Sequence, residues 1–312
     1  MTILYPTANH YLSRDHHTQS FGSEFVPALR VAIGDRIHVQ TWDCYKGQVL
    51  VEADLTKVID NSQVNPATGP IYIEGAEPCD TLTVTIIDIK TEARGAARIY
   101  EGKGQLHDKV KGPYGTFFDI ADGVIKMNDK VSFPISPMLG VIGVAPESGS
   151  ILTMPAGKHG GNLDNNMNKI GSTIYLPVKH SGALLGIGDM HASMGDGEIS
   201  GTGIEIGGDV LIEVNVIKSV TTDFPITETA DSWITHGVAE KDIQKAMKLA
   251  CEEAAGLLVN HWGFTYEDAF IFLSVACDLG IAQNVHPSEG TVIAKVRVPK
   301  ISACPKPFNI SR

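Results

Sequence analysis

The sequence predicts an α+β protein that is mainly β, and three observations carry that prediction. Segments that alternate apolar and polar side chains, or are rich in β-branched residues, recur from Phe25 through VLIEVNVIKSV at 210–220. Apolar residues at helical spacing occur only late, between residues 237 and 280. Strands and helices therefore do not alternate as a βαβ order requires. What remains is β-sandwich or barrel elements with a helix-containing C-terminal part, and no support for a parallel-sheet nucleotide fold. The chain divides into a β-rich part, 1–210, and an α/β part, 211–312, packed on it, unless the two form one interwoven unit.

At 312 residues the chain can bury a sizeable core. No run of 18 apolar residues marks a membrane span. The net charge of -11 argues against nucleic-acid partners and anionic membrane surfaces, since both need a basic face. The N-terminus has no basic stretch leading into an apolar one, so no signal peptide is read. Cysteines stand singly at Cys44, Cys79, Cys251, Cys277 and Cys304. That pattern predicts neither a disulfide framework nor a thiolate zinc site, and suits a reducing cytoplasm.

Along the chain, His10, His16 and His17 lie in a polar stretch and read as solvated. VPALRVAIGDRIHVQTWDCYKGQV follows with period two and a turn at Gly34-Asp35. At the end of this run Asp43, between Trp42 and Cys44, either caps a turn or offers a carboxylate ligand. Two prolines and a glycine in NPATGP predict a rigid loop carrying Asn65. IYIEGAEPCDTLTVTIIDIK reads as strand, turn, strand. Glycine-rich residues 93–116 predict a long loop or lid, in which Gly102-Lys103-Gly104 completes no phosphate-binding fingerprint. Short strands resume over 117–154, with turns at Asp122-Gly123 and Asn128-Asp129. Around Gly160-Gly161 stand His159, Asn162 and Asp164, either a ligand loop or a loop of small residues with no ligand.

GSTIYLPV and VLIEVNVIKSV are further strands. GVAEKDIQKAMKLACEEAAGLLVNHWG sets Ile243, Met247, Ala250, Ala254, Leu257 and Leu258 at helical spacing and stops at Gly263. Thr265 then caps a second helix, YEDAFIFLSVACDLG, ended by Gly280. Met247, Phe270 and Phe272 are read as core. TVIAKVRVP is the last strand, before a proline-containing tail.

The stretch Gly186–Glu205, GIGDMHASMGDGEISGTGIE, organises the rest. It holds Asp189, His191, Asp196, Glu198 and Glu205 with six glycines and few long aliphatic side chains. On an extended chain Asp189 and His191 share one face, and Asp196 and Glu198 do the same across Gly197. Two pairs of potential ligands follow, although no EF-hand, HExxH or cupin spacing is completed. From the residues alone this is a metal site or a structural loop rich in turn residues.

Several phrases together resemble the acetamidase/formamidase family: WDCYKGQV, NPATGPIYIEGAEPCD, HGGNLDNN with GSTIYLPV, GALLGIGDMHASMGDGEISGTGIEI, and EDAFIFLSVACDLGIAQNV. They run in the family's order from about residue 25 to 300. The resemblance implies a cytoplasmic, dimeric hydrolase that releases ammonia from a short amide and depends on a divalent metal, zinc first and calcium also possible. It also implies a jelly-roll-like sandwich and a small barrel. By matching motif it brings forward Asp43, Asp164, Asp189, His191 and Asp196 as metal ligands. Glu205 or Glu198 would be the proton carrier of a metal-activated water, with Asn65, Asn162 and His159 near the substrate or oxyanion. Two rivals stand beside it. One is a cysteine amidase built on Cys44, Glu52 and Lys46. The other is a metal-stabilised β-rich binding or structural protein without turnover.

Overall fold

In a computed structural model the described residues, 5–285 and 290–302, form four sheets and two α-helices. Strand accounts for 41% and helix for 13%, in line with the mainly β, α+β expectation. Among the described residues no sheet closes into the small barrel that the resemblance implied. The proline-containing tail and Cys304 lie outside the described residues, and Cys44, Cys79, Cys251 and Cys277 are free thiols. No helix of the described residues is long and apolar enough to cross a membrane.

The largest sheet has nine strands in the order His10–Leu12, Arg36–Thr41, Gly208–Ile217, Thr81–Thr91, Thr173–Pro177, Ile226–Glu228, Ser232–Glu240, Thr291–Pro299 and Asp278–Gln283. Strands from both sides of residue 210 thus share it. The β-branched run of Thr81–Thr91 supplies its middle, where Val84 faces Val214 and Ile86 faces Ile212. Leu82, Val84, Ile86, Val210, Ile212 and Val214 pack against Leu139, Ile142, Leu185 and Ile187 of a second sheet. In that sheet Gly160–Asn162, Met138–Gly143, Leu185–His191 and Ala67–Ile73 lie side by side. The two inner faces make one core, and each such side chain contributes about 1.5–3 kcal/mol by burial.

Helix Ile243–Trp262 starts at Asp242, whose carboxylate accepts from the Lys245 amide, and stops at left-handed Gly263. Its fully buried Ala246, Ala250 and Ala254 let it lie close on Val292, Ala294, Val296 and Val298. The second helix, Tyr266–Ala276, is capped by Thr265 as expected, but it does not run to Gly280. Cys277 is extended and Asp278–Gln283 is the edge strand of the large sheet. Phe270, read as core, is 71% exposed. Apolar residues surround that helix, so its periodicity named no inner side.

Glycine and proline concealed two strands. NPATGP is not a free loop: Ala67–Ile73 is a strand, and Gly69-Pro70 falls where its register with Leu185–His191 shifts. A bulge is where a sheet tolerates a missing donor. Residues 93–116 are not all lid either, because Arg94–Ile99 pairs with Tyr114–Ala121. Gly95 is glycine there because a β-carbon would come within 2.8 Å of the Glu205 carbonyl oxygen.

Candidate functional site

The strand Leu185–His191 runs through the second sheet and delivers Asp189 and His191 from its end. Its pairing sets Leu139 against Met190 and Val141 against Gly188, so Gly140 lies across from Asp189. The chain after strand Gly160–Asn162 brings Asp164, and the returning loop brings Glu198 and Glu205, the latter bridged to both Ala96 and His191. Asn65, Asp164, Asp189 and Glu198 all hold left-handed backbone, with φ of 48°, 38°, 51° and 45°. Such conformations cost on the order of 1–3 kcal/mol each and persist where the surroundings over-determine them.

Two groups of buried ligand atoms result. Cys44, Asp189 and Glu205 place theirs within 4.8 Å of one another, and so do Asp164, His191 and Glu198. His191 joins the groups. Its Nε2 lies 3.0 Å from Glu205 Oε1, 3.7 Å from Asp189 Oδ1 and 3.9 Å from Glu198 Oε1, and its Nδ1 lies 3.9 Å from Asp164 Oδ1. Gly203 packs on the imidazole, and its amide donates to Glu205 Oε1 at 3.0 Å. Asp164 Oδ1, Asp189 Oδ1 and Glu205 Oε2 have no hydrogen-bond partner although they are buried.

The electrostatics follow from this crowding. Burial and the neighbouring carboxylates Glu198 and Asp189 push Asp164 well above the usual carboxylate range. Burial raises Glu205 to about 7 against the pull of His191, with Asp189 adding to the rise. Burial likewise raises Glu198 to about 7, with His191 opposing and Glu205 assisting. Burial works against a charged His191, yet Glu205 and Asp189 outweigh it and hold the imidazole well above its ordinary value. Ionised together, the four acids would carry more negative charge than one imidazolium balances. Orphaned oxygens, clustered O, N and S donors, and a glycine at 140 that leaves room between two carboxylates are what a divalent cation needs, so the residues present fit one.

Not every residue singled out in the sequence converges here. Asp43 accepts from the Tyr45 amide at 2.7 Å and the Gly47 amide at 3.0 Å, capping the turn that presents Cys44. Asp196 does not share a face with Glu198. Gly197 and Glu198 both have positive φ, and Asp196 turns out to pair with Lys295 Nζ at 2.5 Å, its side chain half exposed. His159 packs edge-on against Phe21, and burial lowers its pKa to about 4. Asn65 and Asn162 do line the cavity above the cluster.

Two members went unforeseen. The sequence offers Cys44 a role only as a nucleophile, but the lysine and glutamate of that reading are elsewhere: Lys46 donates to Gln63 and Glu52 pairs with Arg94. Its place beside Asp43 was the available signal. Gln283 donates to Asp164 Oδ2, and to Glu198 Oε2 at 3.2 Å. No local pattern marks it, because it arrives on the edge strand Asp278–Gln283, whose first residues read as the end of a helix. The cavity, about 650 Å3, is floored by Cys44, Asp189, Glu198, Glu205 and Gln283.

The chain is similar to known amidases. A model of the Acetamidase/Formamidase family matches residues 12–152 and 148–300. An acetamidase of Mycolicibacterium smegmatis is 26% identical, over 83% of this chain and 88% of that protein. A formamidase of Methylophilus methylotrophus is 27% identical, over 86% of this chain and 83% of that protein. Among solved structures, a predicted acetamidase/formamidase from Thermoanaerobacter tengcongensis superposes with a TM-score of 0.89 at 39% identity, covering 93% of this chain and 95% of that one.

Proposed function

The chain belongs to the acetamidase/formamidase family and is an amidase, and from that premise we propose a metal-dependent hydrolase of short-chain amides that yields carboxylate and ammonia. The observation that carries the metal is the set of three partnerless carboxylate oxygens on Asp164, Asp189 and Glu205 in one buried cluster. Asp164, Asp189, His191 and Glu198 are the residues that would hold the cation. Zinc comes first because imidazole, carboxylate and a nearby thiol suit it, and calcium second because the set is rich in oxygen. When bound, a divalent cation lowers the pKa of water and polarises an amide carbonyl.

The chain's own residues do the rest. Glu205 stands on the cavity floor with a pKa near neutrality, suited to taking a proton from water and giving it to the leaving nitrogen. Water oxygen joins the carbonyl carbon, the C–N bond breaks, and ammonia leaves. Asn65 and Asn162 carry side-chain amides that can donate to the developing oxyanion. The His191 contact at 3.0 Å fixes the orientation of Glu205. A homodimer belongs to the same reading, supported by Phe270, Ile271 and Val275 exposed on one helix; a monomeric mass by light scattering would remove it.

The test is ammonia release from formamide, acetamide and propionamide, with and without a chelator, on protein whose metal content has been measured. Chelator-sensitive release is expected. Chelator-insensitive release from metal-free protein would remove the metal and leave the amidase.

A further inference from the structure

We infer that the site is built for a neutral primary amide whose acyl group is apolar and larger than methyl, an aliphatic or aryl chain. This rests on the amidase reading and adds the substrate class to it. The cavity volume of about 650 Å3 falls in the range that encloses drug-sized ligands, roughly 300–1,000 Å3. Formamide or acetamide would occupy only its floor. The polar groups gather at that floor, where Asn65, Asn162, Asp189, Glu198 and Glu205 meet the amide. Around it stand the apolar side chains of Tyr45, Ile59, Val64, Tyr100, Met154 and Val285, with the charged Lys57, Arg98, Glu101 and Lys103 among them. Apolar wall left wet is unfavourable, and an acyl chain lying along it is the group that would cover it.

Charge points the same way. A carboxylate on the acyl chain would enter a space floored by Asp189, Glu198 and Glu205. The buried cation in the wall, Arg98, is engaged by the protein itself. Its Nε donates to the Leu55 carbonyl at 2.8 Å and its Nη2 to the Lys57 carbonyl at 2.5 Å, and the guanidinium lies 4.9 Å from the centre of the Tyr100 ring. Lys57 is paired with Asp54 at 2.5 Å, and Lys103, which also lines the cavity, is not free either. Nη1 of Arg98 has no partner, so an anionic acyl chain belongs in the test as a competitor.

The experiment compares kcat/KM of the full-length protein, with its metal content measured, for acetamide, butyramide, phenylacetamide and succinamate. Butyramide and phenylacetamide are expected to exceed acetamide by about tenfold or more, since one added methylene in an apolar pocket is worth roughly 10–200-fold. Met154→Trp, at a half-exposed wall position, is expected to lower the phenylacetamide-to-acetamide ratio at least tenfold. That internal ratio does not depend on the fraction of folded variant. Acetamide hydrolysed as well as or better than the larger amides would overturn the inference and leave the amidase reading intact. A preference for succinamate would overturn it in favour of Arg98 holding a carboxylate. Turnover of none of the four, and none of formamide, by protein carrying its metal would overturn the inference and the amidase reading together.

Discussion

Gly140 faces Asp189 across two paired strands with no room for a side chain between them. A β-carbon at 140 would stand 2.4 Å from Asp189 Oδ2 and 2.4 Å from Asp164 Oδ1. The glycine is what allows two carboxylates from different segments to converge. Gly140→Ala should force them apart, cost about 1–3 kcal/mol of stability as overpacking does, and abolish metal retention. Elemental analysis of the purified variant reads this; full metal content would mean the carboxylates can separate without loss of the site.

Glu205 and His191 separate into different roles by substitution. Glu205→Gln keeps a hydrogen-bonding group against His191 and should keep the metal while turnover falls by about 10^2–10^4. His191→Ala should lose both. Metal content measured beside ammonia release distinguishes them, and an active Glu205→Gln would withdraw Glu205 as proton carrier.

Gln283 holds two acidic side chains, Asp164 and Glu198, from an edge strand of the other sheet. Gln283→Leu leaves both carboxylates without that donor in a buried place, at about 1–3 kcal/mol. The expected result is a lower melting temperature and weaker metal retention. A variant that melts and binds as the parent does would reduce Gln283 to packing.

Removing the metal should itself destabilise the fold. Four buried acids share one imidazole, and a cation bound only by the folded state adds stability by mass action. Chelation followed by calorimetry should lower Tm, and zinc titration should restore it. An unchanged Tm would mean that the acids are protonated and at ease without a cation.

His236 sets a pH dependence away from the site. It is buried between the Pro225 carbonyl, 2.7 Å from Nδ1, and the Asn165 amide, 2.9 Å from Nε2. That pair of bonds suits the neutral ring with its proton on Nδ1. Burial lowers its pKa from 6.5 to about 4; the Pro225 bond opposes the shift and Lys295 adds to it. Between those values the unfolded chain binds a proton that the folded chain refuses. The contribution is therefore complete above about pH 6.5 and is lost as pH falls towards 4, up to about 3 kcal/mol. Urea midpoints from pH 7.5 to 4.5 should fall along this window, and His236→Gln should flatten the fall. An equal slope in the variant would assign it to other groups.

Much of the candidate cluster was legible because its residues are concentrated. GDMHASMGDGEISGTGIE contributes Asp189, His191, Glu198 and Glu205, and GGNLD contributes Asp164. What misled was local geometry. Period two put Asp196 beside Glu198, but two successive positive-φ residues turned Asp196 out to Lys295. Asp43 looked like a ligand by its motif neighbours, whereas two backbone amides within its own turn already occupy its oxygens.

By itself the sequence determined what short-range chemistry can determine. It specified the strands whose β-branched periodicity is strong, the caps at Thr265 and Gly263, the late helices, and the acidic, glycine-rich stretch that carries the site. Tertiary structure decided what depends on contacts between distant segments. It placed Cys44 and Gln283 at the cluster, turned Asp196 away, and made strands of Arg94–Ile99 and Asp278–Gln283. The physical reason is that a buried charge is stabilised by whichever donors surround it in space, and those donors come from strands that meet only when the two sheets pack.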